Sequence, residues 1–252
     1  MSNPPMYGNL LPLDREQHKN LRLQTEIATV EQAAGLNSVF LAAVEFNEAC
    51  KEFPIVFVRV GEAPKDGSLP VVAPLAVFGL KPGHNMFVKD GRWTANYTPA
   101  YLRRYPFAMA RLDNSDQVAV CFDEQWRGFS QTEGTPLFGA DGEPSEFTAN
   151  ARSFLENFER EAERTRLVSI ELQKLELLQE MRFEATLPSG ETINVDGFLA
   201  VNEEKLANLE DAKVLELFRN GLMSLIEMHR VSLGNMARLA NAHSAAAATA
   251  TA

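Results

Sequence analysis

The sequence predicts an α+β protein: an antiparallel, strand-rich N-terminal half over residues 10–127, packed against a mainly helical C-terminal half with one β-hairpin. Three observations carry that expectation. Up to residue 127, short β-branched or apolar runs alternate with Gly, Pro and Asp-Gly turns, which is the punctuation of antiparallel strands. From Ser145 onward, apolar residues recur every three or four positions, the period of a helix with one buried face. Within that second half only 182–187 and 191–201 read as strands, about a turn at 188–190.

Element by element, residues 10–13 form a short strand after a loop-like start. Asn37 or Ser38 caps a helix whose apolar positions are Val39, Phe40, Ala43, Val44 and Ala49, stopped by Pro54. The run 55–60 (IVFVRV) is a strand, and GEAPKDGSLP is a turn that ends it. A second strand covers 71–80, and 85–88 returns to a hairpin turn through Asp90 and Gly91. Residues 97–104 are one helical turn or two, closed by Pro106. The runs 107–112 and 117–123 pair about 113–115, and 128–144, rich in Gly, is a long irregular connection.

The helical half begins with an apolar stripe of Phe147, Ala151, Phe154, Leu155, Phe158 and Ala162. The run 167–181 is either a strand entering a helix or a continuous second helix. Asn202 caps a short helix and Asp211 another, the latter closed at Asn220 and Gly221. Residues 222–240 form the last helix. Its apolar stripe includes His229, which reads as a satisfied core histidine. Residues 243–252 are expected to be a disordered tail, and the whole chain a single domain whose halves share a core.

With 45% hydrophobic and 23% charged residues, the 252-residue chain has the composition of an ordinary globular protein. A net charge of −10 argues against a nucleic-acid surface or an anionic membrane, both of which need clustered Lys and Arg. The N-terminus lacks a basic region followed by a long apolar run, and no window approaches the ~20 apolar residues of a membrane span. The expectation is a soluble, cytoplasmic protein. The two cysteines, Cys50 and Cys121, lie in apolar surroundings without Cys-x-x-Cys spacing and read as small buried hydrophobes.

No standard catalytic motif is written in the chain. A non-haem iron site needs two His and a carboxylate converging, whereas the four histidines here, His18, His84, His229 and His243, are scattered. There is no Gly-x-Ser-x-Gly elbow and no glycine-rich phosphate loop. Neither a cofactor nor a metal is expected.

The segment 75–107 is the most distinctive part of the chain. It holds Trp93, Tyr97, Tyr101 and Tyr105, the adjacent Arg103 and Arg104, and His84. If helical, the tyrosines stack along one edge, with Arg104 beside Tyr101 and Arg103 turned away. Three readings stand: a hydrogen-bonded core corner, a docking patch for another protein, or a pocket for an anionic or aromatic ligand. With His18, these residues are the candidate binding set.

The series Pro54–Phe57, Gly79 with Leu80, Gly83 with Asn85, Trp93, Tyr97 with Pro99, and Arg103–Phe107 resembles the bacterial SapC family. The likeness extends to Leu10 and His18, to Thr135–Phe138 and Asp141–Pro144, and to Gly197, Phe198 and Asn202–Leu206. The resemblance implies a protein named for a surface-layer locus, whose relatives lie beside flavin-dependent halogenase-like proteins and TonB-dependent receptors. It supplies no catalytic residues. The expected function is therefore that of a non-enzymatic accessory or interaction protein, with a flavin-dependent halogenase-like protein or a second copy of the chain as partner. The alternative is an enzyme whose site, drawing on His18, His84, Arg103 and nearby carboxylates, assembles only in the tertiary fold.

Overall fold

The computed structural model describes residues 3–27, 29–62, 64–111, 118–187, 190 and 192–250, with side chains as far as residue 244. In chain order the strands of the first half are β1 (Leu10–Pro12), β2 (Arg22–Leu23), β3 (Ser38–Phe40), β4 (Ile55–Arg59) and β5 (Val72–Val77). They continue with β6 (Val88–Lys89), β7 (Arg92–Trp93), β8 (Phe107–Arg111), β9 (Val118–Asp123), β10 (Phe129–Ser130) and β11 (Thr135–Pro136). Two one-turn helices interrupt them, α1 (Phe46–Ala49) and α2 (Ala100–Arg103). The second half contains α3 (Glu146–Lys174), the hairpin β12 (Leu178–Thr186) and β13 (Thr192–Val201), then α4 (Glu203–Ala207), α5 (Asp211–Arg219), α6 (Leu222–Ser232) and α7 (Asn235–Ala250). The architecture is α+β, as the sequence predicts. None of the described helices is long and apolar enough to cross a membrane.

The main sheet has the order β12-β13-β4-β5-β3, every pairing antiparallel. The C-terminal hairpin thus completes the N-terminal sheet. Side chains alternate across a strand, so β4 feeds two layers. Ile55 and Phe57 enter the largest apolar cluster with Phe53, Phe78, Leu199 and Ile226. Val56 faces the other way, toward Phe198, Met236 and Leu239 beneath α7. A sheet covered on both faces explains why this strand is a continuous apolar run.

A second sheet, β1-β9-β8, and a small one, β10-β2-β11, enclose another cluster built on Tyr7, Tyr105, Phe107, Phe122, Trp126 and Leu137. Helix α3 borders both large clusters. Its Phe158 packs in the first and its Leu155 in the second. Ser145 starts this helix, its Oγ accepting the Thr148 amide, while Thr148 Oγ1 donates to Leu137 O at 2.7 Å. Farther along, Thr165 Oγ1 accepts the Ala43 amide and ties the helix to the turn before α1.

Several local expectations are corrected. The helix expected from Asn37 is confined to the short turns around 43–49, because Ser38–Phe40 pairs with β5 at Val77, Ala76 and Leu75. That tertiary pairing overrides a helical spacing. The run 167–181 matches neither alternative: it is the end of α3 followed by the start of β12. Glu176 at φ 52° makes the break, and Leu177 N closes back on Leu172 O.

The last helix is two. Ser232 Oγ donates to His229 O and accepts the Ile55 amide, Gly234 follows, and Asn235 then reaches Cys50 O. The helix α7 runs on to Ala250, through most of the expected tail. The residue before α5 is Glu210, one position ahead of the predicted cap. Residues 113–115 lie outside the described residues, as do 188 and 189. Cys121 is buried as expected, whereas Cys50 is partly exposed.

Candidate functional site

The candidate segment is organised by two carboxylates. Glu45, only 5% exposed, accepts from Ala42 N, Ala100 N and the Tyr97 hydroxyl. Glu52 accepts from Asn96 N and Tyr97 N. Together they hold the approach to α2, which makes a single turn. Tyr97 therefore precedes the helix and Tyr105 follows it, so the three rings do not share one edge.

The rings instead go to different places. Trp93 packs among Phe53, Phe78 and Phe87, and its Nε1 donates to Tyr97 O at 2.9 Å. Tyr101 is buried, with its hydroxyl donating to Pro5 O. Tyr105 is buried in the second cluster, donating to Asp123 Oδ2 at 2.9 Å, and joins Pro106 through a cis bond. Burial raises the phenol pKa of Tyr97 and Tyr105, and the carboxylates they donate to raise it further. These hydroxyls are donors held in place, and the core-corner reading describes most of the block.

The two arginines diverge, as their spacing predicts. Arg104 is buried, its guanidinium carbon 4.2 Å from the Tyr101 ring centre and 4.6 Å from that of Phe158. Stacking on two rings in a dry site is worth about 2 kcal/mol. Glu159 stands 4.0 Å away; its pKa is pushed up by burial, against which the Arg104 charge acts. Arg103 is exposed. Its Nε donates to Thr98 O, and its guanidinium lies 5.3 Å over Phe154.

Beside these arginines lies a cavity of about 350 Å³. Its walls come from Leu23, Thr25, Ile27 and Thr29 on one side, Arg103–Phe107 and Trp126 on another, and α3 through Phe147, Ala151, Phe154 and Leu155. Gly128 leaves room for the Trp126 ring of that wall, because a Cβ there would fall 2.1 Å from it. Among the described residues the lining carries two arginines and no Asp or Glu. Two buried polar atoms of wall residues, Arg104 Nε and Trp126 Nε1, both donors, have no hydrogen-bond partner among the described residues. A larger recess of about 870 Å³, between Arg15–Arg22 and Pro136–Gly142, has a rim of mixed charge.

The histidines are not drawn to this cavity. His18 Nδ1 accepts the Asp14 amide, and its ring meets Phe122 edge-on. His84 is exposed, 6.1 Å from the ring of His243 on α7. His18, His84 and Arg103 thus make their contacts in three separate places. Among the described residues, no group of three or more His, Cys, Asp and Glu could hold a metal ion. Sequence reading named Arg103, Arg104 and Tyr105 but missed Trp126, Phe147 and Phe154 as their companions in one wall. The only available signal was the apolar stripe that opens α3.

By its architecture the chain is an α+β protein with an apolar cavity walled by α3 and bordered by arginine. It belongs to the SapC family, whose sequence profile matches residues 13–239 of the 252. No curated protein and no solved structure matches it.

Proposed function

We propose that this chain is a non-enzymatic accessory protein that works by holding another molecule, with the cavity beside Arg103 as its recognition site. The observation that carries this reading is the cavity's composition: a largely apolar wall with two arginines and, among the described residues, no carboxylate, in a chain of net charge −10. Recognition sites are commonly apolar recesses with a few placed polar groups. The proposed setting is the bacterial cytoplasm, alongside a flavin-dependent halogenase-like protein, in service of surface-layer or TonB-dependent uptake functions.

The test is isolation of the tagged chain from its native cell. An equimolar companion is expected, and Arg103→Ala should remove it while leaving the melting curve unchanged. Retention of the companion by that variant would count against the site. Turnover of a substrate by the purified chain alone would count against the accessory role.

A further inference from the structure

We infer that the cavity beside Arg103 takes a small amphipathic carboxylate, an apolar body of roughly aryl-acid size whose anionic head meets the Arg103 guanidinium. This rests on the recognition-site reading above and goes further by naming the ligand chemistry. The body follows from the wall: Leu23, Phe107, Phe147, Phe154 and Leu155 offer rings and branched carbons. A volume of about 350 Å³ suits one small ligand.

The head follows from charge. The chain carries 34 acidic residues against 24 Lys and Arg, yet none of the described residues of this lining is acidic. Arg104 is occupied by the rings of Tyr7, Tyr101 and Phe158 and faces Glu159. No carboxylate pairs with Arg103 among the described residues, and Phe154 supports its guanidinium from below. A planar fork held in that way at an apolar rim favours a carboxylate over a neutral group. The lining also carries Thr25, Thr29 and Asn150, whose side chains can donate to the second oxygen of such a head.

The experiment is calorimetric titration of the full chain with 2-naphthoate, 3-phenylpropionate and 4-methylpentanoate, each matched to its primary amide. At least one acid should bind at one site, roughly tenfold or more tighter than its amide. Arg103→Gln should abolish that preference without changing amide affinity. Ala151→Leu, which narrows the cavity from α3, should weaken acid and amide alike. Equal affinity for acid and amide, an unchanged preference in Arg103→Gln, or no binding by any of the three acids would overturn the proposal. So would binding of a peptide ending in a phenylalanine carboxylate when none of the free acids binds. A co-isolated companion with no acid binding would sink this inference alone; acid binding without a companion would sink the accessory reading alone.

Discussion

At the scale of single residues, His229 shows how a polar group is made part of an apolar core. It is fully buried, with Nδ1 2.8 Å from Ile55 O and Nε2 accepting the Val201 amide at 3.1 Å. Those partners fix the neutral tautomer with its proton on Nδ1. Burial lowers its pKa to about 4, the nearby Arg230 charge acting in the same direction and the bond to Ile55 opposing it. The unfolded chain takes up this proton near pH 6.5 and the folded one only near pH 4. Between those values the unfolded state binds more protons, so stability is lost as pH falls from about 6.5 to 4. The loss attributable to this group is on the order of 3 kcal/mol. His229→Leu should be destabilised at pH 7, and its deficit relative to the parent chain should shrink by pH 4.5. Urea unfolding at both pH values measures that gap, and a constant gap would contradict the account. The core role of His229 was legible from its place on an apolar stripe. The placement of Tyr101 and Tyr105 was not, because a four-residue interval says nothing about a helix that ends between them.

At the scale of elements, the helix ends were easier to read than the short turns. Helical character begins at Ser145 and Gly221 at φ 82° separates α5 from α6, both as the sequence implied; the side-chain cap that Ser145 supplies to α3 was not read from it. Removing the cap leaves an amide of the first turn without an acceptor, so Ser145→Ala should cost about 1 kcal/mol. A melting temperature unmoved by that change would show that Thr148 and Leu137 hold this end without it. The C-terminal strand pair was legible because turn chemistry and alternation agree; of the earlier pair only the Asp90–Gly91 turn was, its strands being Val88–Lys89 and Arg92–Trp93 rather than a run over 85–88. The misreadings fall where a long-range partner decides the outcome. Val39 has the spacing of a helix face but lies against Ala76, and Ser232 breaks a predicted single helix by serving Ile55.

At the scale of the whole molecule, the cavity brings together Leu23, Thr25, Ile27 and Thr29 with residues 103–107, Trp126 and one face of α3 from Phe147 to Leu155. No local pattern links segments so far apart, so the sequence could name the arginines but not their neighbours. The fold class was legible because it depends on the sum of local periods. The site was only half legible because it depends on how α3 is laid across the sheets. The dispersal of His18 and His84 follows from the same fact: each answers to a different layer.

The 29-residue α3 has a mechanical consequence as well. Leu155 and Phe158, less than one turn apart, face different apolar clusters, so neither cluster can loosen without withdrawing a wall from its neighbour. Heat should therefore take the protein apart in a single cooperative step, with van't Hoff and calorimetric enthalpies in agreement. Two resolved endotherms in scanning calorimetry would show that the rod does not bind the halves together.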